Sequence, residues 1–168
     1  MKFAKFYNQI AYVCNKWATS MDRIDRKILS QLQNDASIAN NDLADLVGLA
    51  PSSCLRRVRQ LKKKGVITGV VALTDPKRMG RPLKAIVTVK LADHGVTARK
   101  QWLADMKTEA AISQIYSVSG ETDTVVMMNL TDMEEFQELS QRLFAEDENV
   151  LQYQSLFVLE QHKFDLAL

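Results

Sequence analysis

The stretch Pro51–Lys64 carries six Lys or Arg residues and no acid. Wound as a helix at ~100° per residue, it sorts its side chains into two faces. Cys54, Leu55, Val58 and Leu61 share one side and are expected to meet a core. Ser53, Arg56, Arg57, Gln60 and Lys64 fall within ~100° of one another on the other side. These residue types suit a major groove, because Arg pairs bidentately with guanine and Gln with adenine. Ser52 and Ser53 stand at the helix start, where hydroxyls and free N–H groups suit phosphate. Arg56, Arg57 and Gln60 are therefore expected at base edges, and Ser52, Arg59 and Lys63 at phosphates. A basic helix in isolation is equally a solvated face, so the elements around it decide.

Other chemistries leave little pattern. His94 and His162 have no metal-ligand spacing to another His, Cys or carboxylate. Cys14 and Cys54 are isolated, which implies neither a disulfide framework nor a zinc site and makes an intracellular setting the default. Neither a P-loop nor a G-x-G-x-x-G or G-x-S-x-G motif occurs. The reading is a non-enzyme with no cofactor and no metal. No apolar run approaches the ~20 residues of a membrane helix. In residues 1–20, Lys2 and Lys5 precede the patch Ile10-Ala11-Tyr12-Val13-Cys14, but Asn8, Gln9, Asn15 and Lys16 interrupt it. An export signal needs ~7–15 apolar residues. Residues 1–20 are read as a non-core extension, with Met21 opening the working protein; N-terminal sequencing of native material tests this.

The basic helix is the third of three. Ile24, Ile28, Leu29 and Leu32 lie within one ~140° arc, which predicts an amphipathic helix. Asp22 is its N-cap and Asn34-Asp35 its end. A short helix follows from about Asn41 to Val47, and Gly48 supplies a turn of positive φ. Pro51 then opens the third helix at a position where a missing N–H costs nothing. Two short helices around a tight glycine turn form the helix-turn-helix pattern. Val66–Leu73 reads as β structure bent at Gly69, the wing of a winged helix. The turn-rich, basic run 74–82 is the natural linker. Residues 21–64 carry net charge +4 and residues 96–168 net −8. A polyanion-binding module joined to something else fits that imbalance.

The remainder, 83–168, reads as β-α-β-β-α-β. Strands are expected at Leu83–Leu91, Ala111–Val118, Thr124–Leu130 and Val150–Leu159. Helices are expected at Val96–Lys107 and after Asp132, whose capping box closes with Glu135; Met133, Phe136, Leu139 and Leu143 form the second helix's apolar stripe. This is the order of a ferredoxin-like split fold, with helices on one face of the sheet. The bare face then requires a cover, and a second copy of the chain is the simplest one. The fold class is thus α+β, with a 21–73 winged helix-turn-helix, a 74–82 linker and an 83–168 βαββαβ domain.

The motifs Asp22-Arg23-Ile24-Asp25-Arg26-Lys27-Ile28-Leu29, Val47–Val58 and Lys64-Gly65-Val66-Ile67-Thr68-Gly69 resemble the Lrp/AsnC (leucine-responsive, feast/famine) family of transcription regulators. Val118–Asp123 followed by Thr131-Asp132-Met133 is similar to that family's second (RAM-type) domain. The match runs from about Met21 to the C-terminus. The resemblance implies a cytoplasmic, nucleoid-associated regulator of amino-acid metabolism or transport genes. It implies homodimers assembling to octamers on pseudo-palindromic double-stranded DNA, with an amino acid or related small molecule as effector. It places the effector at Gly120, Glu121, Thr122 and Asp123, with Met133, Gln137 and Ser155 as further candidates. Exposed loop N–H groups would hold a carboxylate there and Asp123 an ammonium group. The loop departs from the family's Gly-Asp-x-Asp-aromatic pattern at Glu121 and Thr124, and Ala50 replaces the usual capping Ser or Thr. The two loop departures leave effector identity and effector binding itself open. Two other readings also stay open: a small-molecule sensor without specific DNA binding, and a low-specificity architectural DNA binder.

Overall fold

A computed structural model describes residues 21–92 and 95–164, apart from the side chains of 95 and 96. The N-terminal extension read in residues 1–20 lies outside the described residues. The chain divides into two compact units that part between Ala72 and Leu73.

The first unit is built from three helices. α1 (Arg23–Asn34) starts where the Asp22 carboxylate accepts the Asp25 backbone N–H at 2.8 Å. α2 (Asn40–Val47) ends on Gly48 at φ 75°, a left-handed turn that frees the chain to re-enter a helix within a few residues. α3 (Pro51–Lys63) has no side-chain cap at Ala50 and relies on Pro51 to fix its first turn. The Asn40 side chain donates to the Pro51 carbonyl at 3.0 Å and ties the starts of α2 and α3 together. Ile28, Leu43, Ala44, Val47, Cys54 and Leu61 form the buried core between the helices.

The strands expected over residues 66–73 do not form: among the described residues this stretch pairs with no other. Gly65, at φ 71°, turns the chain so that the N–H groups of Val66 and Ile67 both donate to the Leu61 carbonyl. Val66 and Ile67 then pack on the helical core. Beyond them Val70, Val71 and Leu73 are all exposed, so neither a third strand nor a buried face supports a hairpin. Isolated two-stranded hairpins are marginal in water. Residues 68–73 are a loop.

The second unit is a four-stranded antiparallel sheet of order β2-β3-β1-β4, from β1 (Leu83–Leu91), β2 (Ile112–Ser117), β3 (Thr124–Leu130) and β4 (Val150–Phe157). α4 (Gly95–Lys107) follows β1, and α5 (Met133–Ser140) follows β3 and runs into a π-helical turn, Gln141–Ala145. β2 and β4 are shorter than their sequence patterns suggest, ending at Ser117 and Phe157. The period of two sends Ala85, Val87 and Val89 of β1 and Val126, Met128 and Leu130 of β3 into one core. Trp102, Met106, Phe136, Leu139, Leu143 and Phe144 come from the helices. The Trp102 indole N–H reaches the Leu143 carbonyl in the π turn at 3.1 Å, so the bulky ring is buried without an orphaned donor. Met133 departs from the apolar stripe assigned to it: the first residue of α5 stands clear of the sheet and is 46% exposed.

Asp75–Gly80 folds as a turn, and Arg81 fixes its exit. Its guanidinium donates to the Asn129 carbonyl at 2.8 Å and the Glu135 carboxylate at 3.2 Å. Glu135 also accepts the Thr131 backbone N–H and hydroxyl. The Thr131 N–H, then the hydroxyl and Arg81, hold this carboxyl below its ordinary value against the opposing effect of burial.

Candidate nucleic-acid interface and ligand pocket

The solvent side of α3 is shaped by where its core side ends. Ser52, Leu55, Arg56, Arg59, Gln60 and Lys63 line one shallow depression of about 380 Å³. On a 3.6-residue helix, Ser52, Arg56, Arg59, Gln60 and Lys63 span only ~100°. Lys63 therefore stands at the centre of that arc beside Arg56, and Arg59 at its edge, whereas the sequence reading kept both for phosphates. Among the described residues no carboxylate pairs with Arg56, Arg59 or Lys63. The face offers three free cations, an amide and a hydroxyl, a set that can satisfy phosphates and purine edges together.

Arg57 corrects the sequence reading. It lies ~60° beyond Gln60 around the helix, where α1 begins. Its Nη1 meets Asp22 at 2.7 Å and Asp25 at 2.8 Å. The two carboxylates raise the guanidinium's pKa further, and Asp22 is lowered first by the Asp25 N–H and then by Arg57. Arg57 thus clamps α3 to the start of α1 and is not presented with Arg56 and Gln60. Leu55, expected in the core, is 38% exposed. Ser53 is only half-exposed and Lys64 is the helix C-cap, so both stand off the central face. Cys54 is buried, and burial pushes its thiol pKa up, which leaves a packing residue and not a reactive one.

In the second unit, the loop between β2 and β3 is held by backbone bonds. The Val118 N–H donates to the Asp123 carbonyl, and the Asp123 N–H to Val89 on the neighbouring strand. The Asp123 carboxylate accepts the Leu91 backbone N–H at 2.9 Å. Asp123 therefore anchors the loop to the end of β1 through one carboxylate oxygen. Gly120 sits at φ 136°, a conformation that a side chain would strain. Thr124, in place of an aromatic residue, is fully buried, and its hydroxyl has no partner among the described residues.

Glu121 and Thr122 do reach a cavity. It has a volume of about 270 Å³ and is lined also by Thr88, Lys90, Gln152, Tyr153 and Gln154. Thr88 pairs with Gln154 and Lys90 with Gln152 across β1 and β4, so these side chains rise from the helix-free face of the sheet. The cavity walls carry opposite charges, amides and hydroxyls. Ser155 is not among them, since it pairs with the buried Val87 and faces the helices. Met133 and Gln137 are exposed on α5, on the helical side. The structure thus brings two of the seven effector candidates into one cavity. The five additional residues were missed, though the alternation of Thr88 and Lys90 on β1 and of Gln152 and Gln154 on β4 was a readable signal once those strands were set side by side.

Comparison with known proteins agrees with both units. A model described as winged helix-turn-helix DNA-binding matches residues 21–68, and one described as Lrp/AsnC ligand binding domain matches residues 84–168. The chain is 31% identical to an HTH-type transcriptional regulator of Haemophilus influenzae, with 97% of each chain covered. Among solved structures, it is similar to the transcriptional regulator NMB0573 of Neisseria meningitidis in complex with L-Met. That similarity has a TM-score of 0.83, 30% identity, and 89% of this chain and 96% of that one covered. An AsnC family regulator of Agrobacterium tumefaciens gives a TM-score of 0.82 at 31% identity, covering 88% of this chain and 96% of that one.

Proposed function

This chain belongs to the Lrp/AsnC family of transcription regulators, and on that premise we propose that it reads a pseudo-palindromic operator through α3 and responds to a free amino acid. The family is one of regulators and not of enzymes. The observation that carries the DNA reading is the unpaired basic face of α3. Arg56 and Gln60 face base edges, Arg59 and Lys63 lie between bases and the flanking phosphates, and Ser52 meets phosphate at the helix start. The domain division follows: 21–73 binds DNA, 74–82 links, and 83–168 senses and assembles. The setting is the cytoplasm, at the nucleoid, and the targets are amino-acid metabolism or transport genes.

The cavity beside Glu121 is the effector site in this reading. Lys90 receives the α-carboxylate, Glu121 the α-ammonium group, and Thr88, Thr122, Gln152 and Gln154 hydrogen-bond the remainder. Support comes from the cavity's paired charges and from the similar Neisseria protein, whose structure is a complex with L-Met. The helix-free sheet face joins two chains into a homodimer, and dimers join into an octamer.

A thermal-shift screen of the twenty amino acids on the full chain tests the sensing half: a ligand of the native state raises the melting temperature. Lys90→Ala should abolish that shift. If no amino acid shifts the protein, the effector reading fails. Binding to a selected operator at two salt concentrations tests the DNA half. Contacts to three or more phosphates require a steep inverse salt dependence. Equal affinity for operator and random DNA would instead favour an architectural protein.

A further inference from the structure

We propose that Leu55 is a specificity-determining residue of the DNA-binding face, packing its side chain against the 5-methyl group of a thymine in the operator half-site. The proposal rests on the DNA-binding reading of α3 and adds to it a base identity.

Leu55 has the residue type of a core position but not its location. It lies ~40° around the helix from Arg59, on the flank where the exposed arc meets the core. Its neighbours toward the core are shielded: Cys54 is 0% and Leu61 2% exposed, whereas Leu55 is 38% exposed. It lines the same depression as Ser52, Arg56, Arg59, Gln60 and Lys63, and is the apolar member of that set. It stands in the second turn of α3, whose start is fixed by Pro51 and the Asn40 bond. Recognition helices present their N-terminal residues to base edges. The side chains around it supply charge and hydrogen bonds, which satisfy phosphates and purines but nothing apolar. In the major groove the apolar group is the thymine methyl, and contact with it separates A·T from the other pairs.

The Arg57 clamp gives this contact its geometry. Arg57, on the opposite flank of α3, is held by two carboxylates of α1 and its N-terminal cap. That bond limits rotation of α3 about its own axis. The flank bearing Leu55 therefore keeps a fixed angle to the arc bearing Arg56 and Gln60. A thymine at one defined step from the purines read by those residues is the consequence.

The test begins with selection of a binding site from random duplex DNA by the full-length protein. Each thymine of the selected half-site is then replaced singly by deoxyuridine, which removes only the methyl group. One replacement per half-site should weaken binding about fourfold, the value of one buried methyl group. Leu55→Ala should bind thymine and deoxyuridine duplexes equally, while keeping the melting temperature of the parent. Leu55→Met should restore part of the discrimination. Uniform indifference of the parent protein to deoxyuridine overturns the proposal, and that measurement needs no variant to fold. Retention of the full deoxyuridine effect by Leu55→Ala also overturns it and assigns the methyl contact elsewhere. If selection enriches no sequence, the DNA-binding reading itself fails and takes the proposal with it.

Discussion

At the scale of single residues, the main change is the reassignment of cations on α3. Arg56 and Arg57 are adjacent in sequence and differ by ~100° in direction; that angle sends one to solvent and the other to Asp22 and Asp25. Arg57→Ala is accordingly expected to lower the thermal stability of the helical unit, whereas Arg56→Ala should lower operator affinity and leave the melting temperature alone. The pH dependence separates the two further. Asp22 titrates below its ordinary 3.8 in the folded chain. A depressed carboxylate stabilises the fold above its unfolded pKa and loses that contribution as pH falls through the folded value. The melting-temperature gap between the parent and Arg57→Ala should therefore be full at pH 5 to 7 and narrow as pH falls below 3.8 through the lowered folded value of Asp22. A gap that does not narrow on acidification would place the stabilisation outside Asp22. Thr124 gives a second test. Among the described residues its buried hydroxyl has no partner, a state that costs roughly 1–3 kcal/mol. Thr124→Val keeps the shape and removes the hydroxyl, so denaturant titration should show a gain of about 1 kcal/mol.

At the scale of elements, the helices and strands were largely legible because their signals are local. Asp22, Gly48 and Pro51 mark ends through backbone chemistry that needs no tertiary partner. The alternation of β1 is set by one buried face. Gly48 shows how strong such a signal is. An added Cβ there would meet nothing within 4 Å, so any cost of Gly48→Ala is the left-handed backbone alone. Chemical denaturation should register a loss of about 1–2 kcal/mol for Ala and a smaller one for Asn, which tolerates this conformation. The wing was illegible for the converse reason. Residues 66–73 have β-favouring composition, but a strand exists only when a partner pairs with it, and none is supplied among the described residues. The site residues divided in the same way. Glu121 and Thr122 follow from their own loop, whereas Lys90, Gln152 and Gln154 belong to the cavity because antiparallel pairing sets β1 beside β4. The flank residue Leu55 defeated the helical wheel, since a wheel assigns a side but not where the neighbouring helices stop.

At the scale of the whole molecule, the decisive feature is a sheet with helices on one face. The bare face carries an apolar row in register, Leu156 beside Ile86 beside Met127, with Tyr116 on the neighbouring strand beside Val125. Leu156 is 46% and Tyr116 50% exposed in the single chain. An antiparallel sheet can face water on one side, but then that side is polar. Here the centre of the face is apolar, while Thr88, Lys90, Gln152 and Gln154 lie towards one end. A two-fold partner laid over the apolar row would cover it and leave the polar cavity near the rim. Stable interfaces bury ~800 Å² per partner, an area that a four-stranded sheet face can supply. In the proposed dimer, Leu156→Glu places a carboxylate in that row on each of the two chains, inside a desolvated layer. Light scattering behind size exclusion should show the mass fall to that of one chain, with the circular dichroism of the fold retained. Operator affinity should fall with it, by far more than any single base contact contributes. The second recognition helix no longer benefits from the effective concentration that a dimer supplies. Leu156→Glu that still runs as a multimer would move the dimer to another surface of the second unit.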